Sequence, residues 1–306
     1  MTRPAGPFTS GEGGQERPHC ERELTLELHV FLAVLAAAAM HAAWNAALKL
    51  NLEPFLAMTL IAGASGVMAL PALAAFGFPV LPAWPWLAGS ILLHLGYYVV
   101  LSAAYARADM SQVYPIARGG APLLTASAST LLLGEPVGDL QMLGIAGLGC
   151  SVAAMSVVGR RRGTAFDPKA VGLAILTALV ICGYTLVDGR GARAAGDPHA
   201  YTAALFVLDG VPPVLFALWW RGRTGLVRMR RFWVRGAAAG SLSLGSYWIA
   251  IWAMTVAPIA LVAALRESSV LFATAIAVVF LKEPLQWPRA ILALAILASL
   301  ILIRAG

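Results

Sequence analysis

The sequence predicts an all-α integral membrane protein of ten transmembrane helices, arranged as two inverted five-helix repeats. Three observations predict it: a composition suited to lipid, apolar runs of membrane-spanning length, and a pattern of charged and proline residues that recurs at one constant offset. Of the 306 residues, 59% are hydrophobic and 12% charged. A soluble domain is roughly half apolar and about a quarter charged, so in water this chain would expose far too much apolar surface. A helix needs about 20 mostly apolar residues to cross the hydrocarbon. Such runs cover 29–49, 55–76, 84–106, 110–133, 140–158, 168–187, 199–220, 232–256, 259–281 and 287–303. They are too long and too uniformly apolar for the alternating strands of a β-barrel, which are about ten residues each.

The runs differ in what they carry. Residues 1–28, rich in Gly, Pro and Glu, read as a disordered tail. The run after it has no short apolar core with a small-residue cleavage site and reads as a retained first helix. It holds His41, Trp44 and Asn45. His41 and Asn45, four apart, share a face and either line a cavity or hydrogen-bond a neighbouring helix. The third run holds His94 beside Tyr97 and Tyr98, read as packing, and the fourth holds Tyr114, Pro115 and Arg118. Gly144, Gly147 and Gly149 line the fifth, and Gly236 and Gly240 form a G-x-x-x-G in the eighth. Small residues of this kind let backbones approach, within the bundle before all and between two copies as a homodimer second. The seventh run holds Asp209 just before Gly210-Val211-Pro212-Pro213, which interrupts the backbone ladder. Tyr247 and Trp248 lie in the eighth run, and Arg266 and Glu267 in the ninth.

One constant offset lays Arg118 on Arg266, Leu123 on Leu271, Leu133 on Leu281, Glu135 on Glu283 and Pro136 on Pro284. Matching an Arg, a Glu and a Pro in nearly uncharged helices divides the chain into two repeats, 29–160 and 161–306. Five spans is an odd number, so the second repeat enters the membrane with opposite orientation. That is the architecture of secondary transporters, whose substrate site lies between the repeats.

The same residues carry a resemblance. His41-Ala-Ala-Trp44-Asn45-Ala-Ala-Leu-Lys49, Ala117-Arg118-Gly119 leading to Gly134-Glu135-Pro136, Gly183-Tyr184-Thr185-Leu186-Val187-Asp188, and Leu265-Arg266-Glu267-Ser268-Ser269 leading to Lys282-Glu283-Pro284 resemble the EamA-type branch of the drug/metabolite transporter superfamily. The resemblance implies two inverted five-helix repeats, a central cavity, and movement of metabolites by alternating access. It leaves the substrate open.

An ionisable group at the centre of a span costs about 2.5–3.5 kcal/mol on insertion scales, so each needs a partner or a role. Arg118 and Arg266 are related by the repeat, and their planar forks suit a carboxylate or phosphate. They either hold such a group on the substrate or pair with Glu267 or Asp209 to order the bundle. The offset also places them on opposite sides of the membrane centre, one nearer each opening. Asp209 and Glu267 are candidates for a coupling proton, with service as arginine counter-ions the plainer alternative. His41, Trp44, Asn45 and Tyr114 complete the substrate-binding candidates.

The sequence thus predicts a carrier of a small metabolite, anionic or zwitterionic, multi-pass in the cell (inner or plasma) membrane. The alternatives are a non-transporting subunit of a larger complex and, further off, a membrane-embedded enzyme. H-E-x-x-H, G-x-S-x-G and P-loop motifs are absent from the sequence, so neither catalysis nor ATP-driven pumping has its machinery. Cys20, Cys150 and Cys182 form no C-x-x-C pair, and neither metal nor cofactor is implied. The net charge of +7 gathers in short segments such as Arg160 to Arg162 and Arg228 to Arg235. That is the positive-inside pattern at anionic headgroups and not a nucleic-acid surface. By that pattern the termini face outward, whereas the resemblance puts both in the cytoplasm.

Overall fold

The computed structural model describes residues 26–47, 52–107, 110–158, 167–279, 282 and 287–306. The described elements are helical throughout: α1 (Leu28–Ala47), α2 (Pro54–Phe76), α3 (Trp84–Tyr105), α4 (Met110–Leu133), α5 (Asp139–Val158), α6 (Pro168–Ala194), α7 (Pro198–Asp209), α8 (Val211–Arg230), α9 (Trp233–Val256), α10 (Ile259–Arg266), α11 (Ser269–Val279) and α12 (Trp287–Ala305). Among the described residues, 7 segments are long and apolar enough to cross a membrane: Leu28–Asn45, Pro54–Phe76, Leu81–Tyr105, Pro168–Ala194, Pro198–Arg230, Ile259–Val279 and Trp287–Ala305. Asp139–Met155 is a shorter apolar helix. α4 and α9 are 24 residues each, long enough to cross, but the first carries Gln112 and Arg118 and the second is rich in Gly and Ser. The offset partners Glu283 and Pro284 lie outside the described residues.

Three apolar runs depart from single helices with the expected ends. The sixth, expected to stop at Val187, continues as α6 to Ala194. Asp188, Arg190 and Arg193 mimic a loop in hydropathy, yet Asp188 is buried against tyrosines, Arg193 pairs with Glu135 and Arg190 stands 6.0 Å from the centre of the Trp86 ring. The seventh is broken at Gly210, where Pro212 and Pro213 fall in the first turn of α8 and need no helical partner for their missing N–H groups. The same helix kinks again at Gly222, whose φ of 61° favours glycine. The ninth run is split between Arg266 and Ser269. There Glu267 N donates to Ala264 O at 2.9 Å and Ser268 N to Leu265 O at 3.1 Å, a tighter turn than the α-helix.

Packing follows a regular pairing. α3 lies along α6, and α9 along α1; α4 lies on α6, and α10 and α11 on α1. α2 meets α7 and α8, α5 meets α12, and α4 meets α10. The small residues make these approaches close. A Cβ on Gly240 would stand 3.0 Å from Ala64 Cβ in α2, and one on Gly144 would stand 2.8 Å from Ser299 O in α12. The glycines of both stripes are thus used within the chain. Serines bridge the same seams, Ser65 Oγ donating to Gly240 O at 3.0 Å and Ser246 Oγ to Ala37 O at 2.7 Å, as expected where helices cannot find water.

Candidate functional site

The helices line a cavity of about 90 Å³, room for several waters or one small polar solute. Its walls come from both halves of the chain: α1, α2, α3 and α4, and α6, α7, α9 and α10. α5 and α12, packed on each other, take no part in it.

Arg118 and Arg266 both line it and are nearly buried, at 4% and 7% exposure. Their surroundings differ. Arg118 Nε lies 3.0 Å from Glu267 Oε2, a buried ion pair across the α4–α10 seam. The Arg266 guanidinium instead stands over the ring of Tyr247, its carbon 4.8 Å from the centroid. Its Nε is buried without a hydrogen-bond partner, and among the described residues it has no ion-pair partner. A buried guanidinium with an unused donor at a cavity wall can donate to an anion there.

Asp209, the last residue of α7, also lines the cavity. Its Oδ2 accepts from Tyr98 Oη at 2.7 Å, while its Oδ1 is buried with no partner among the described residues. Glu267 does not reach the lining and sits behind Arg118. His41 and Trp44 do reach it, joined by Trp44 Nε1 donating to His41 Nδ1 at 3.2 Å. Asn45 does not. Its amide donates to His41 O at 2.8 Å, so its polarity is spent on its own helix. Tyr114 lies in α4, but its side chain is outside the described residues.

Aromatic rings close the walls. His94 stacks on Tyr184 with centroids 4.3 Å apart, and Tyr247 stands edge-on to both. The third span therefore contributes His94, Tyr97 and Tyr98 to the cavity, beyond the packing role expected of them.

Sequence reasoning missed Asp188, which is wholly buried. Tyr201 Oη donates to its Oδ1 at 3.0 Å and Tyr247 Oη to its Oδ2 at 2.5 Å. The available signal was helical phase. Asp188 stands four residues after the cavity-lining Tyr184, on the same face of a helix that the hydropathy pattern ended too soon.

A second polar cluster lies away from the cavity. Glu135, just past the end of α4, accepts from Arg193 Nη1, from Ser129 Oγ, and from Ile259 N at 2.8 Å. Arg193 also donates from Nε to Met254 O at 2.8 Å and from Nη2 to Ala257 O at 3.1 Å. These contacts gather the ends of α4, α6 and α9 and the start of α10. The cavity lies towards the other face, with His41 in the last turns of α1, Met58 in the first turns of α2 and Arg118 in the first half of α4.

Residues 169–305 match the model of the EamA-like transporter family, a domain of the drug/metabolite transporter superfamily. Among solved structures, one crystal structure described only as that of a protein aligns with a TM-score of 0.68 and 17% identity, over 90% of this chain and 94% of the other. That likeness concerns the fold alone. No curated protein matches the chain.

Proposed function

We propose that this chain, a multi-pass membrane transporter by its EamA-like residues 169–305, is a secondary carrier that moves a small metabolite bearing a carboxylate or phosphate by alternating access. The halves are 29–160 and 161–306, each of five spans, with α4 and α9 counted as the fourth and eighth. Inverted repeats are supported by the packing. Exchanging the halves turns the α3–α6 contact into α9–α1 and the α4–α6 contact into the contact of α10 and α11 with α1, and it leaves α5–α12 and α4–α10 paired with themselves. A cavity walled by both halves is the place such a carrier keeps its substrate.

The observation that carries the anionic substrate is Arg266: buried, at the cavity wall, with an unused donor. Arg118 is the secondary group, since Glu267 already balances its charge. Asp209 offers an unpartnered carboxylate oxygen in the same cavity, so it can take a coupling proton or the cationic end of a zwitterion. His41 and Trp44 supply wall, and the site belongs to a carrier in the inner or plasma membrane.

The test is flux into liposomes holding the purified chain alone, screened over carboxylate and phosphate metabolites. Saturable uptake is expected, lost in Arg266→Gln with membrane insertion unchanged. Flux retained in that variant would overturn the anion reading, and no flux of any solute would favour a subunit of a larger complex.

A further inference from the structure

Two features are unexplained by an arginine that simply grips an anion. Arg266 is buried with no acid on its guanidinium among the described residues, and a charge so placed needs compensation. Asp188 is wholly buried, does not line the cavity and makes no ion pair among the described residues. Tyr247 joins them. Its ring face carries the Arg266 guanidinium at 4.8 Å, and its hydroxyl donates to Asp188 at 2.5 Å.

We propose that Asp188 is a positioning residue for anion binding at Arg266, acting through the ring of Tyr247; this rests on the reading of Arg266 as the anion-binding group. Held at its far end by Asp188, the ring cannot swing away from beneath the guanidinium. The hydrogen bond to a carboxylate also pushes electron density onto the ring, and a richer π-face holds a cation more strongly. Asp188 thereby serves as a counter-charge set one ring away from the cation it balances. The distance matters for function. An acid in direct contact, as Glu267 is with Arg118, occupies the donor edge that a substrate needs. A counter-charge behind a ring leaves that edge open and its orientation fixed beforehand.

The surroundings of Asp188 are built for this contact. Tyr201 holds the other carboxylate oxygen, and it lies so close to α6 that a Cβ on Gly191 would come 2.5 Å from its hydroxyl. At Gly189 a Cβ would come 2.4 Å from Ile259 Cδ1, so α6 and α10 approach closely beside Asp188.

The test uses the full chain in detergent with sodium acetate and inorganic phosphate as probes, reading the concentration at which each raises the melting temperature half-maximally. Acetate is expected to stabilise the natural chain and to lose that effect in Arg266→Gln. Tyr247→Phe keeps the ring and removes only its hold on Asp188, and Asp188→Asn removes the charge. Each should raise the midpoint about tenfold, the order expected on losing one hydrogen bond to a charged group, and the double variant should be no worse than either single one. A lower melting temperature with an unchanged midpoint means that Asp188 is structural and overturns the proposal, as do independent, multiplying effects. If Asp188→Asn does not fold, Tyr247→Phe decides alone. Stabilisation that survives Arg266→Gln, or no stabilisation of the natural chain by either probe, overturns the reading of Arg266 itself.

Discussion

Arg118 of α4 and Glu267, just past the end of α10, meet Nε to Oε2 at 3.0 Å, each side chain 5% exposed. Removing one member of such a pair strands the other charge in a low-dielectric interior, a loss of about 3–5 kcal/mol, whereas replacing both is far milder. Glu267→Gln should therefore lower the melting temperature steeply, and Arg118→Met added to it should restore most of the loss. A single variant that melts like the natural chain would show that the pair contributes nothing to the bundle.

Asp209 lines the cavity with one oxygen held by Tyr98 and the other without a partner among the described residues. If proton movement drives the carrier, Asp209→Asn should flatten the dependence of flux on pH, and Tyr98→Phe should change it less. Glu267→Gln is the companion variant, since Glu267 is the buried carboxylate paired with the cavity-lining Arg118. An unaltered profile in both carboxylate variants would remove these residues from proton coupling.

The α4–α5 seam depends on Gly119, where a Cβ would meet Ala153 N at 2.9 Å. Gly119→Val should cost about 1–3 kcal/mol through overpacking. Gly172, on α6, is the contrast, because a Cβ there meets nothing within 4 Å. Gly172→Ala should stabilise by about 0.5–1 kcal/mol through helix propensity alone. Equal melting temperatures for the two variants would contradict the packing described.

Glu135 and Arg193 close the end of the bundle away from the cavity's lining residues. Glu135→Gln should loosen that end. In a background lacking the natural cysteines, a cysteine placed by Val262→Cys, buried one turn into α10, should then react faster with a maleimide. Unchanged labelling would show that the cluster does not hold the end shut.

Much of the helical content was legible because apolar runs of spanning length have no other stable form in lipid. The two arginines were legible too, since a charge in an apolar run stands out and the repeat pairs them. Which partner each would find was not. Arg118 and Arg266 are equivalent in the repeat, yet one meets Glu267 and the other a tyrosine ring, a difference set by side chains far off in sequence. Both line a single cavity, and that one stands nearer each opening remains a proposal for the pair. Asp188 and Arg193 were hidden for the opposite reason. Clustered near a helix end with glycines between them, they lower the local hydropathy and look like a loop, although each has tertiary partners.

The two interrupted spans have a mechanical consequence. Asp209 closes α7 and Arg266 closes α10, so each of these charged side chains sits where the helix of its span is interrupted. A rod broken at such a point behaves as two levers sharing a fulcrum, and its outer ends can sweep through large arcs while the fulcrum hardly shifts. In the carrier proposed above, Asp209 and Arg266 would thus stay in register with one another while the ends of their spans move.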